Sequence, residues 1–97
     1  MKTTVTSRHF RASDKLKTYA EKEVNRLDRY FDSIMECEVI LEYDVHQNKT
    51  VEVAIHVPGE RMVAAETTED FMKSMDVAVQ KLEKQVVRYK DKLKKKH

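Results

Sequence analysis

The side chains best placed to do chemistry in this chain are its lysines and arginines, because their spacing segregates them from the acids. Advancing about 100° per residue from Phe71 onward, Lys81, Lys84, Arg88, Lys92 and Lys95 fall on one line beside an apolar stripe, with no acid among them. Asp76 and Glu83 lie on the opposite flank. Between positions 81 and 96, eight basic side chains (those five with Lys90, Lys94 and Lys96) face only Glu83 and Asp91. Earlier in the chain, Lys15, Lys22, Arg26 and Arg29 share a stripe at spacings of seven, four and three, while Asp14, Glu21 and Asp28 keep to a separate line. A solvated helix ordinarily mixes signs to gain pairs three or four residues apart. The helix dipole favours cations in the last turn only, and the second line begins roughly four turns from the end. Segregated cations of this kind suit phosphate groups. If the two helices lie side by side, their stripes join into one patch that meets several phosphates at once.

Other chemistries find no constellation. His9, His46, His56 and His97 have no metal-ligand spacing with one another or with Cys37. Cys37 falls on the apolar face of a strand pattern and reads as core rather than nucleophile. Asp70 and Asp76 have no acid–base partner and read as capping or ion-pairing groups. Met62, Met72 and Met75 read as core or rim. Tyr30 and Tyr89 are aromatic enough to stack on exposed bases, though packing at the core edge is the ordinary use of such rings. Pro58 and Gly59 are the only proline and glycine, which excludes a Gly-rich phosphate loop and a flexible linker. No enzyme, metal or cofactor is expected.

The elements that must position the cations follow from hydrophobic period. Residues 2–6 are rich in β-branched types and predict a short first strand. Ser13 then reads as an N-cap, and Leu16, Ala20, Val24, Leu27 and Phe31 line one face of a helix running from about Asp14 to Tyr30. Cys37, Val39, Leu41, Tyr43 and Val45 alternate with Glu36, Glu38, Ile40, Glu42 and Asp44 as a half-buried strand. After a turn at His46, Gln47 and Asn48, Val51, Val53, Ile55 and Val57 repeat the pattern. Pro58-Gly59 makes the next turn, and residues 62–68 a weaker fourth strand. Thr68 reads as the cap of a long second helix, with Glu69 and Asp70 in its first turn. Phe71, Met75, Val79, Leu82, Val86, Tyr89 and Leu93 form its apolar stripe.

The order β-α-β-β-β-α predicts an α+β fold: a two-layer sandwich with a four-stranded mixed sheet and both helices on one face. A right-handed crossover makes strands one and two parallel, and tight turns make strands two to four an antiparallel meander. The other sheet face, rich in Glu, stays wet. With 97 residues the chain fills one core, so residues 1–97 are expected to form a single domain. The charged fraction is 37% but the net charge only +2, so the arrangement of charges matters more than their sum. No run of about 18 apolar residues and no signal-peptide core are present, and one cysteine cannot make an internal disulfide; a cytoplasmic protein is expected.

Several stretches resemble one family: Arg26-Leu27 followed by Tyr30-Phe31-Asp32, then Glu69-Asp70 through Asp76, and above all Lys81-Leu82-Glu83-Lys84-Gln85 running into Lys90-Asp91-Lys92-Leu93-Lys94. Over essentially its whole length the chain is similar to the bacterial ribosome hibernation promoting factors and ribosome-associated inhibitors, whose domain is related in shape to double-stranded RNA-binding domains. The resemblance implies contact with small-subunit ribosomal RNA in the channel of messenger and transfer RNA, and carries over to Arg26, Lys81, Lys84, Arg88, Lys90 and Lys92. Lys22 and Arg29 join them on the stripe argument. It implies the short form of the family, a monomer when free, acting on the small subunit and the intact ribosome and pairing inactive ribosomes with a separate dimerising protein. Two other readings compete: a double-stranded RNA-binding module acting on free RNA, and a protein-interaction module that recruits a partner on the acidic sheet face.

Overall fold

Alternating residues become sheet and residues repeating about every 3.6 positions become helix. In the computed structural model, which describes residues 1–94, strand β1 (Lys2–Arg8) leads to helix α1 (Asp14–Val24) and a 3-10 segment (Asn25–Arg29). Strands β2 (Glu36–Tyr43), β3 (Lys49–Val57) and β4 (Glu60–Thr68) follow, then helix α2 (Phe71–Lys94). Lys95, Lys96 and His97, which include the end of the basic line, lie outside the described residues.

The sheet order is β1-β2-β3-β4, with β1 parallel to β2 and the remaining pairs antiparallel, as the sequence predicts. Register follows the apolar pattern: Val5 lies opposite Val39, Val39 opposite Val53, and Val53 opposite Ala64. A slip of one residue would turn that whole row outward, so burial of one face holds the register. Against this face pack Ala20, Val24 and Leu27 from the first helical region and Met75, Val79, Leu82 and Val86 from α2, all fully buried. Truncating a core residue such as Leu82 to Ala costs about 2–5 kcal/mol. Two aromatic contacts close the ends of the core. Phe10 stacks on Phe71 at 5.0 Å between centroids, and Phe31 meets Tyr89 edge-on at 5.3 Å.

Four boundaries differ from the sequence reading, each for a local reason. The first helix is α-helical only to Val24 and tightens into the 3-10 segment, where Tyr30 N–H bonds to Leu27 O at 3.0 Å. Strand β2 stops at Tyr43 because the Asp44 carboxylate accepts from the N–H groups of His46 (2.8 Å) and Asn48 (2.9 Å), which folds the turn early. Val45 is thereby left at the tip, 92% exposed. Strand β1 runs to Arg8 and β4 begins at Glu60, so both are longer than their apolar cores.

The cap of α2 is Asp70 rather than Thr68. Asp70 O accepts from Ser74 N, and the Asp70 carboxylate from Met72 N, both at 3.0 Å. The Thr68 hydroxyl instead accepts from Asp70 N at 3.0 Å and donates to the buried Ser74 hydroxyl at 2.7 Å, which donates on to Lys49 O. Ser74 thus ties the start of α2 to the start of β3 with its polar group satisfied.

The outer sheet face follows from the same register. Register sets Lys2 beside Glu36, Arg8 beside Glu42 and Arg61 beside His56, while Glu38 lies between Thr4 and Ala54 and Glu52 between Ile40 and Ala65. The face is rich in Glu as expected, with bases added at its borders by β1 and β4.

Candidate nucleic-acid interface

Helix α2 carries the basic line along the flank away from α1, and the structure divides that line in two. Lys84, Arg88 and Lys92 are exposed, and among the described residues none forms an ion pair. Lys81 turns down instead. Its ammonium lies 2.9 Å from Glu66 Oε2 and donates to Ala65 O at 3.1 Å. That ammonium holds the Glu66 carboxyl below its usual range, first by hydrogen bonding and then by charge. One turn on, Gln85 donates to Val63 O at 3.0 Å. The match is geometric, since four residues of helix rise about 6 Å and two residues of strand span about 6.8 Å.

Arg26 is drawn inward in the same way. It donates to Glu23 at 2.8 Å, and lies 3.4 Å from Asp76 Oδ1 and 3.1 Å from Glu83 Oε1. The Glu83 contact is a charge contact without hydrogen-bond alignment, since Glu83 Oε1 is buried with no hydrogen-bond partner among the described residues. The 3-10 segment explains the placement. Each 3-10 step turns about 120° rather than about 100°, so Arg26 is rotated about 40° and Arg29 about 100° beyond the positions a continued α-helix would give them. Arg26 then reaches Asp76 and Glu83 on α2, Arg29 stands exposed in a hollow it shares with Lys90, and Lys22 remains exposed on the last turn of α1. Burial, and next the Glu23 hydrogen bond, pushes the Tyr19 hydroxyl up at the edge of this cluster.

The groove between the helices is therefore filled by Glu23, Asp76 and Glu83 around one guanidinium, and the two basic stripes do not meet along it. They meet at its far end. Arg29 and Lys90 line one hollow with Tyr30, Phe31, Asp28 and Asp32. Lys84 and Arg88 line the next with Tyr30, Val87 and Glu83. Arg88 and Lys92 continue past Tyr89 toward Glu60 and Met62 at the opposite flank. The result is a belt of cations around the C-terminal half of α2, with Lys22 standing apart on α1.

Other groups read as candidates from the sequence sit in the scaffold. Cys37 is buried, and burial pushes its thiol up to about 12, which leaves no nucleophilic thiolate near neutrality. Asp70 caps α2, Asp76 sits in the Arg26 cluster, and Met62 and Met75 are core. Tyr89 is buried, with its hydroxyl donating to Pro58 O at 2.7 Å. Tyr30 is 39% exposed. Among the described residues no group of three or more His, Cys, Asp or Glu could hold a metal ion, and no helix is long and apolar enough to cross a membrane.

A four-stranded mixed sheet backed by two helices, with a cation belt on the second, defines a class of small basic α+β domains, and comparison with known proteins places the chain within it. Residues 3–94 match the family model described as sigma 54 modulation protein / S30EA ribosomal protein, and the chain belongs to that family. It is 30% identical over 92 residues to a ribosome hibernation promoting factor of Azotobacter vinelandii, covering 95% of this chain and 85% of that one. The N-terminal domain of Thermus thermophilus Protein Y superposes with a TM-score of 0.84 at 30% identity, over 92% of this chain and 99% of that one. A ribosomal subunit interface protein from Coxiella burnetii superposes with a TM-score of 0.87 at 26% identity, over 94% and 99% of the two chains.

Proposed function

We propose that this protein is a ribosome hibernation factor that binds the small ribosomal subunit through Lys22, Arg29, Lys84, Arg88, Lys90 and Lys92 and acts in the cytoplasm. Its helical face lies on ribosomal RNA in the channel of messenger and transfer RNA, excludes them by bulk, and so inhibits translation. Occupied ribosomes are favoured to pair in an inactive state with the help of a separate dimerising protein. Arg26 and Lys81 serve this face by holding it together.

The observation that carries the reading is the belt of unpaired cations on the C-terminal half of α2. Cations already matched within the fold offer little to phosphate, whereas exposed unmatched ones release counterions from RNA when they bind. Phosphate contacts of this kind set position without reading sequence, and an RNA surface is read by shape. No reaction is required.

The test is sedimentation of the purified protein with ribosomes and separated subunits through sucrose at several salt concentrations, beside the Lys84→Glu, Arg88→Glu variant and with free duplex RNA as competitor. Binding to the small subunit and the intact ribosome, weakened by salt and by the double reversal and resistant to duplex competitor, supports the proposal. A wild-type protein that stays at the top of the gradient at low salt overturns it. Equal displacement by duplex RNA favours a module for free double-stranded RNA instead.

A further inference from the structure

Of the four tyrosines in the chain, three are occupied by the fold. Tyr89 is buried and bonded to Pro58 O, Tyr43 packs with Phe10 and Phe71 under the Lys49 ammonium, and Tyr19 packs against the core. Tyr30 differs. It ends the 3-10 segment with its backbone held by Leu27 O, while its neighbour Phe31 is wedged against Tyr89. Its ring makes no aromatic pair among the described residues and is exposed where the two basic hollows adjoin. Beside it lies Val87, an aliphatic side chain 43% exposed.

We infer that Tyr30 and Val87 form a stacking site for one unpaired RNA base, with the flanking phosphates held by Lys84 and Arg88 on one side and by Arg29 and Lys90 on the other. This rests on the ribosomal reading above and names the kind of nucleotide the belt takes. A ring lying between two cation pairs matches the form of a nucleotide extruded from its stack, which has one flat apolar face and a charged phosphate at each end. Glu83 in the first hollow does not oppose it, because its Oε1 is buried and held to Arg26 at 3.1 Å, whereas the exposed Asp28 and Asp32 beside Arg29 and Lys90 make the second phosphate the more weakly held of the two. A uniform duplex offers no free base face, so the site selects a loop, bulge or junction within the ribosomal RNA.

The chain contains no tryptophan, so Tyr30→Trp places a single indole at the site. The experiment titrates that variant with purified small subunits, with Val45→Trp at the far hairpin tip as control, and measures Tyr30→Ala, Tyr30→Phe and the wild type by co-sedimentation. Quenching of the indole at position 30 but not at 45 is expected. So is a loss of affinity of about 5- to 150-fold in Tyr30→Ala, with Tyr30→Phe within about twofold of wild type. Thermal unfolding of Tyr30→Ala close to wild type establishes that the loss is not one of folding. If wild type binds in a salt-dependent way while Tyr30→Ala binds equally well and the indole is unchanged, the stacking site is wrong and the ribosomal reading stands. An indole that shifts to the blue without quenching shows the ring covered by apolar protein, and also overturns it. Absence of wild-type binding removes both.

Discussion

Arg26 reaches from the first helical region across to Glu83 on α2, with Nη2 3.1 Å from Oε1, while its other terminal nitrogen bonds Glu23 on its own side. One guanidinium thereby neutralises part of a cluster of three carboxylates and fastens the two helices in their relative rotation. Its charge is committed to the scaffold, although in the sequence it stands on a line with cations left free.

The Arg26→Ala variant is expected to lose stability because Glu83 and Glu23, largely shielded from water, keep their charges without a counterion. With Arg26 itself 37% exposed, solvent screening limits the cost to about 1–2 kcal/mol. In a chain of this size that is a fall in Tm of about 5–15 °C. Thermal unfolding at neutral pH measures it, and the second substitution Glu83→Gln should recover part of the loss. If the double variant is no more stable than Arg26→Ala, the ion cluster is not what holds the helices.

Lys81 and Lys84 are three residues apart on one basic line, yet they should answer differently to neutralisation. Lys84→Gln is expected to lower the salt dependence of ribosome binding by about one ion in a plot of log affinity against log salt. Lys81→Gln should leave that slope in place and instead reduce stability, because it strips Glu66 and Ala65 O of their donor. Equal loss of slope in the two variants would contradict the division of the line.

The Glu66 carboxyl gives a pH signature. Its pKa in the folded protein lies below the ordinary value of 4.5, first through hydrogen bonding to Lys81 and then through charge. A depressed carboxylate contributes stability that is fully present above the unfolded pKa and is lost as pH falls through the folded one. Urea unfolding should therefore show wild-type stability declining as pH drops below 4.5, with a shallower decline in Glu66→Gln. Asp44, depressed by the hydrogen bonds of the hairpin turn, adds to the decline in both proteins, so the slope in the variant should shrink but not vanish.

Cys37 should be inert toward thiol reagents in the native protein at mildly alkaline pH, since burial keeps its thiol protonated up to about 12. Reaction with an aromatic disulfide reagent is expected to follow the fraction unfolded across a urea titration. Rapid native-state labelling would show that the β2 face opens locally.

The element order, the parallel and antiparallel pairings and the stripe of α2 were legible in the sequence, because alternation and helical repeat report directly on which face is buried. Val39 opposite Val53 and Leu82 over the sheet follow from that logic. The roles of individual cations were not. Lys81 and Lys84 look alike in the sequence; only the registration of α2 against β4 sets one over a carbonyl and the other over water. Arg26 was displaced by the change from α to 3-10 geometry after Val24, which no residue pattern announces, since Asn25 and Arg26 are compatible with either. Tyr30 was visible as a candidate ring, but its partner Val87 was not: position 87 became significant only when Tyr30 was brought beside it. The bases at the borders of the outer sheet face went unread because that lysine and those arginines come from β1 and β4, far apart in the chain.

The two donors that α2 lowers onto β4 also set a limit on self-association. Val63 O and Ala65 O are two of the carbonyls an incoming strand would need in the middle of that edge, and Gln85 and Lys81 have already taken them. The opposite border, β1, is the remaining edge of the sheet. Strand addition at β4 is therefore disfavoured, because an incoming strand would have to displace both donors, and this guards one border of the sheet against edge-to-edge growth.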